Sequence, residues 1–209
     1  MEVRVLSRAP VSLNIMLYTR KGDSGTTKAF NSKPGQRMSK SSCQTEALGA
    51  LDELNSFSGL LKVKLVDVAW TVQVSANVSA DSLKKPAEII QWVQECLFIV
   101  QAEVAGADKK IDQAKIDRIE FMVDWIEKEM PPIKTFFISG GTEIAALFDI
   151  SRTLARKAER RVIAGTEKGE VVVGPVTLAF LNRLSSLFYA LARLSNHKAQ
   201  IKEISPSYT

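Results

Sequence analysis

The 209-residue chain is 45% hydrophobic and sets 28 Lys and Arg against 23 Asp and Glu, for a formal net charge of +5 and a pI near 9.2. This composition supplies a full core for one domain and permits an anionic partner such as nucleic acid, phosphate or an acidic membrane, without choosing among them. Two cysteines (Cys43, Cys96) and one histidine (His197) at no ligand spacing argue against a disulfide scaffold or a His/Cys metal site, and no apolar run has membrane-spanning length or the form of a signal peptide, so a cytoplasmic protein without a membrane partner is expected.

Residues 1–14 suggest an extension or short strand, and Met16 offers an alternative start. Tyr18 to Lys40, rich in Gly, Ser, Thr and Lys, predicts a loop. Within it Thr19, Arg20, Lys21, Gly22, Asp23, Ser24, Gly25, Thr26, Thr27 and Lys28 gather hydroxyls, glycines and cations, the material of a phosphate cradle and equally of an ordinary surface loop. The Walker pattern GxxxxGK[ST] is absent. Ser41 with Gln44 has capping-box spacing, and Ala47, Leu51, Leu54, Ser58 and Leu61 then recur on one face of a first helix. Asp52 sits there beside Asn55, Ser56 and Gly59, either as a solvated carboxylate or as a partner for a later arginine.

Residues 66–77 alternate weakly and predict a loop or an irregular extension. Pro86 opens a second helix that carries Ile89, Ile90, Val93, Leu97, Val100 and Val104 inward. Asp112 is the N-cap of a third, with Ile116, Ile119, Val123 and Ile126 facing in and Pro131-Pro132 as its stop. Gly140-Gly141-Thr142 precedes a fourth helix, whose end is bracketed by Gly165 and Gly169. A fifth follows Gly174-Pro175, with Val176, Phe180, Leu184, Leu187 and Leu191 on its apolar face. Asn182-Arg183 interrupts that face with an amide suited to a ligand or to a neighbouring backbone group. The pattern predicts an all-α, five-helix up-and-down bundle forming one domain over residues 1–209.

The chemistry concentrates in the fourth helix, where Ser151 to Arg161 holds five basic residues and one acid. Arg152, Arg156, Glu159 and Arg160 fall at i, i+4, i+7 and i+8 and share one face. Ile144, Leu147, Phe148, Leu154, Ala158 and Val162 form an opposite apolar stripe. Arginines stacked along one stripe call for an anion between them, a carboxylate or a polyphosphate, unless the face is simply solvated.

In this order the segments resemble the PduO-type ATP:cob(I)alamin adenosyltransferases, the corrinoid adenosyltransferases. The resemblance rests on Tyr18 to Gly25, Gly49 to Asn55, Lys134 to Glu143, Arg152 to Arg161 and Leu181 to Ser185, and leaves residues 64–85 least covered. It implies a homotrimer with active sites between subunits, in which Co(I) of a reduced corrinoid attacks the 5′ carbon of ATP and displaces triphosphate. It further implies that residues 1–40 include the nucleotide-binding loop, from Thr19 through Thr27 and Lys28, and that this loop binds the polyphosphate with Lys40, Arg156, Lys157 and Arg160. Mg²⁺ would balance the remaining charge. Glu159 and Asn182 match positions around the nucleotide. Asp52 and Arg152 match a pair bridging subunits, and Phe136 matches the aromatic that fills the lower face of the corrin and displaces its axial ligand. A cobalamin reductase and an adenosylcobalamin-dependent enzyme are implied as partners. Nucleic acid is not expected, since the arginines interleave with acids and no stacking platform accompanies them. Three positions depart from the family pattern: Lys157 for a second arginine, Ser139 for proline and Ser186 for aspartate.

Overall fold

The computed structural model describes residues 18–30, 32–77 and 79–209, so the expectations for residues 1–15 and for Met16 lie outside the described residues. Five α-helices dominate these residues: α1 Cys43–Lys64, α2 Pro86–Val104, α3 Gln113–Glu129, α4 Glu143–Glu167 and α5 Pro175–Lys198. Helix α1 packs on α2 and α4, α4 on α5, and α5 on α3, which gives the predicted all-α bundle with α4, between α1 and α5, at its centre. The apolar positions expected on α1 and α2 are all buried, and those of α3 are buried apart from the partly covered Val123.

The helix starts follow local chemistry, with one correction. Helix α1 is capped by Ser42, whose Oγ accepts from the Thr45 amide at 3.2 Å, and not by Ser41. Ser41 is drawn back to Ser39, with Oγ–Oγ at 2.8 Å and its amide on the Ser39 Oγ at 3.1 Å, so the first turn begins one residue later. Asp112 caps α3 through the Lys115 amide at 3.1 Å, and Thr142 caps α4 through the Ala145 amide at 3.1 Å. Gly174 has no side chain with which to cap α5. Glu103 of α2 does so from outside, accepting from the Gly174 amide at 2.8 Å and the Thr177 hydroxyl at 2.5 Å while itself only 4% exposed. A buried carboxylate at a helix N-terminus is held by these donors and by the helix dipole.

Helix α4 lies between α1 and α5, so its inward face is broader than the predicted stripe. Phe148, Ala158 and Val162 are fully buried, whereas Ile144, Leu147 and Leu154 are only partly covered. Ser151 and Ala155 take the centre, where small side chains permit close approach. Gly165 falls inside the last turn, where a Cβ would meet Val171 Cγ2 at 2.6 Å, and Gly169 terminates the helix at φ +71°. The weakly alternating 66–77 segment contains a strand, β3 (Val72–Gln73), paired antiparallel with β4 (Leu83–Lys84) and resting on α3. An earlier pair, β1 (Thr26–Thr27) with β2 (Met38–Ser39), closes the predicted loop.

Candidate functional site

The 18–40 segment is a strapped turn. Arg37 donates from Nε to Thr26 Oγ1 at 2.8 Å and from Nη2 to the carbonyls of Lys21 and Thr26 at 2.6 and 2.8 Å. The Lys40 amide donates to the Gly25 carbonyl at 2.9 Å, and Gly25 stands at φ +75°, a backbone region that glycine enters without steric cost. A Cβ on Gly22 would come within 3.1 Å of Lys40 Nζ. The turn thereby carries Thr27 and Lys40 to the start of α1.

There they line a cavity of about 470 Å³ together with Gly49, Glu46 and Glu53 of α1 and Lys157 and Arg161 of α4. Lys157 Nζ lies 2.5 Å from Glu53 Oε2, and Arg161 Nη2 lies 3.7 Å from Glu46 Oε2. Thr19, Arg20, Lys21, Asp23 and Lys28 belong to the same turn but not to the cavity wall. Arg20 takes the positive φ of +58° that reverses the chain, with its guanidinium 5.4 Å from the centre of the Tyr18 ring.

On the opposite flank of α4 a larger cavity, about 960 Å³, is walled by Phe136, Phe137, Met130 and Tyr189 and edged by Arg152 and Arg156. Phe136 is 77% exposed and projects from the segment between α3 and α4. Ser139 and Ser186, two of the three departures, both line this cavity, and Tyr208 near the C-terminus lines it as well. Burial raises the Tyr189 hydroxyl above its usual pKa despite the nearby Arg193 guanidinium, so this side chain stays protonated.

Of the remaining expected residues, Arg152 and Arg156 line the larger cavity, and Asp52, Glu159, Arg160 and Asn182 line neither. Asn182 Nδ2 donates to Glu159 Oε1 at 2.9 Å, and Arg183 joins Asn182 to Glu120 through bonds of 3.1 and 2.8 Å. Arg156 and Arg160 are exposed and have no acidic partner among the described residues. Asp52 is exposed on α1, while Arg152 leans to Asp149 at 3.9 Å and keeps a buried Nε without a hydrogen-bond partner among the described residues, so Asp52 and Arg152 form no ion pair within one protomer.

Three residues that organise these surfaces are not singled out by the sequence. Arg37 carries the strap described above. Asn196 of α5 accepts from the Thr142 amide and hydroxyl at 2.9 and 3.2 Å and donates to the Gly140 carbonyl at 2.8 Å. It fills the space where a Cβ on Gly141 would stand only 2.5 Å from its Oδ1. Arg193 lies buried in Leu191-Ala192-Arg193-Leu194, about 200° round the helix from Leu191, so the apolar stripe of α5 gives no signal for its burial.

Chemically, the described residues present cations beside an aromatic-walled cavity. No group of three or more His, Cys, Asp or Glu side chains among them could hold a metal ion. Burial pushes the Cys96 thiol up to about 12, which leaves it protonated and inert. No helix of the described residues is long and apolar enough to cross a membrane.

Residues 17–195 match the family model described as cobalamin adenosyltransferase. The chain is 34% identical over 188 residues to the corrinoid adenosyltransferase of Bacillus subtilis (strain 168), covering 90% of each. It is 33% identical over 195 residues to the corrinoid adenosyltransferase PduO of Citrobacter freundii, covering 90% of this chain but 52% of that protein, so it spans about half the length of that relative. Among solved structures it is similar to a variant PduO-type ATP:corrinoid adenosyltransferase from Lactobacillus reuteri complexed with cobalamin and ATP. That match has a TM-score of 0.75 at 25% identity and covers 92% of this chain and 97% of the other.

Proposed function

The chain belongs to the cobalamin adenosyltransferase family, and from that premise we propose that it transfers the 5′-deoxyadenosyl group of ATP to cob(I)alamin, giving adenosylcobalamin and triphosphate. One observation carries the reading: α4 presents cations to a cavity on each flank, Lys157 and Arg161 to the smaller and Arg152 and Arg156 to the larger, aromatic one. We assign the polyphosphate to the first and the corrin to the second, and because cobalt must reach C5′ the two have to adjoin, as active sites between subunits allow.

In the reaction the Co(I) electron pair forms the bond to C5′ while the C5′–O bond breaks and its pair leaves with triphosphate. Cobalt is the nucleophile, so the protein has to position and neutralise, and needs no general base. We assign neutralisation of the polyphosphate to the turn from Thr19 to Lys28 with Lys40, Arg156, Lys157 and Arg160; of these Thr27, Lys40 and Lys157 line the smaller cavity and Arg156 the larger, so the phosphates would run from one to the other. Glu159 and Asn182, already hydrogen-bonded to each other, hold the nucleoside. Phe136 faces the corrin and displaces its axial ligand, which leaves four-coordinate Co(II) easier to reduce because axial donation is lost. Mg²⁺ fits as an ion carried on the nucleotide: Glu46 and Glu53, the carboxylates of the smaller cavity, are engaged by cations, and Mg²⁺ commonly takes phosphate oxygens and water.

Asp52, without an ion-pair partner among the described residues, and Arg152, whose buried Nε has no hydrogen-bond partner among them, support a homotrimer in which they meet across the subunit boundary and complete each site. In the same reading residues 1–209 form one domain whose first 40 residues include the nucleotide loop, the protein is cytoplasmic, and a cobalamin reductase and an adenosylcobalamin-dependent enzyme act before and after it. A second reading, a relative that holds nucleotide or corrinoid without turnover, is favoured by the engagement of Lys157 with Glu53. An anaerobic optical assay with chemically reduced cobalamin, ATP and Mg²⁺ tests both. Conversion of Co(I) to adenosylcobalamin at a catalytic rate supports transfer, whereas ATP binding without conversion supports the second reading.

A further inference from the structure

We propose that Arg193 is a positioning residue that holds the Phe136 segment and the C-terminal segment in register around the large cavity, so that corrinoid turnover depends on it and nucleotide affinity does not. The inference rests on the functional reading above. Arg193 is 2% exposed and sits midway between two carboxylates: Nη2 is 2.7 Å from Asp149 Oδ2 and Nη1 is 2.5 Å from Glu203 Oε1. Each carboxylate holds a different segment. Asp149, on α4, also accepts from the Gly140 amide at 3.3 Å, four residues after Phe136. Glu203 lies beyond α5 and also accepts from Asn196 Nδ2 at 2.8 Å. One residue further the Ile204 carbonyl accepts from the Ile138 amide at 2.8 Å, so the two segments are joined directly as well. The guanidinium stacks near the rings of Tyr189 and Phe137, at 5.2 and 6.0 Å from their centres, and both rings wall the cavity.

A buried triad of one cation and two carboxylates is an expensive way to obtain stability, because three ions lose their hydration. What it specifies is geometry, since both carboxylates must come to one planar fork. Here that geometry fixes residues 137–140 and 203–204, between Phe136 on one side and Tyr208 on the other. None of the groups bound by Arg193 lines the smaller, cationic cavity.

The experiment compares full-length wild type with Glu203→Gln, Arg193→Met and Arg193→Lys. Glu203 is 15% exposed in its side chain and its loss leaves the Arg193–Asp149 pair intact, so Glu203→Gln carries the test if Arg193→Met does not fold. Three readouts are taken: ATP affinity by calorimetry, kcat and KM for reduced cobalamin, and the electron paramagnetic resonance signal of four-coordinate Co(II) cobalamin on the ATP-loaded protein. Hydrogen exchange of the Ile138 amide reports the tie without relying on activity. The expected result is at least a tenfold loss in kcat with a parallel loss of the four-coordinate signal, faster exchange at Ile138, ATP affinity within threefold of wild type, and partial recovery in Arg193→Lys. Equal losses in ATP affinity and kcat, or Glu203→Gln matching an active wild type in kcat and exchange, overturn the inference. Wild type that binds ATP but yields no adenosylcobalamin overturns the functional reading instead.

Discussion

Lys157 Nζ lies 2.5 Å from Glu53 Oε2, across the groove between α4 and α1 and inside the cationic cavity. Both side chains are about half exposed, so the pair itself contributes on the order of 0–1 kcal/mol to stability. Its consequence is for ligand binding: a triphosphate has to draw Lys157 away from Glu53. Glu53→Gln is therefore expected to tighten ATP binding by roughly a few-fold while leaving thermal stability within about 0.5 kcal/mol, as charge-pair arithmetic for exposed groups allows. Titration calorimetry with ATP decides it, and weaker binding would show that Glu53 positions Lys157 for the phosphates.

Arg156 edges the large cavity and has no acidic partner among the described residues, so its charge is available to an anion. Arg156→Ala is expected to weaken ATP binding or transfer by about 2–3 kcal/mol, the usual scale of a charge-assisted contact. Affinity and kcat near wild type would remove it from the site.

Phe136 is 77% exposed, so its truncation removes little buried surface. Phe136→Ala should melt within a degree or two of wild type and bind ATP equally well, yet lose at least about tenfold in corrinoid turnover, the scale of losing one positioned group. Parallel loss of ATP affinity would contradict a role confined to the corrin.

Glu103 caps α5 from α2 with two short hydrogen bonds in a nearly dry setting. Glu103→Ala should cost about 2–3 kcal/mol of stability, combining a lost cap with unsatisfied donors. Urea unfolding would measure it. Activity per folded molecule should be unchanged.

The Cys96 thiol is raised from 9.0 to about 12, chiefly by burial. Because its folded pKa exceeds its unfolded one, its contribution is fully present below pH 9 and is lost as pH rises from about 9 toward 12. Cys96→Val should flatten that part of the stability curve. Thiol labelling of the folded protein at pH 8 should reach the partly exposed Cys43 well before the buried Cys96. Equal rates would show that the core around Cys96 opens readily.

Much of this was legible in the chain because periodicity and capping are local. Pro86, Asp112 and Thr142 mark three helix starts by their own chemistry, and the apolar residues of α1 and α2 fall where a 3.6-residue period puts them. The missed details depend on distant partners. Ser42 replaces Ser41 as cap because Ser39 holds Ser41, and Arg37 matters only because a hairpin folds it back on Lys21 and Thr26. The motifs assign Lys157 to the polyphosphate and Phe136 to the corrin but say nothing of where the two lie, and the structure sets them beside different cavities on different flanks of α4.

That division makes α4 a spacer whose phase matters. Arg156 and Lys157 are neighbours in the chain, yet a helix turns by about 100° per residue, so consecutive positions can serve different flanks of the rod. A single residue inserted between them would leave the bundle's composition and net charge almost untouched, but would rotate every later side chain and carry Arg161 out of the groove it shares with Glu46. A deletion at the same point would turn those side chains the other way. The spacing between the two cavities is therefore set by winding as much as by side-chain chemistry, and loops elsewhere in the chain can change length without touching it.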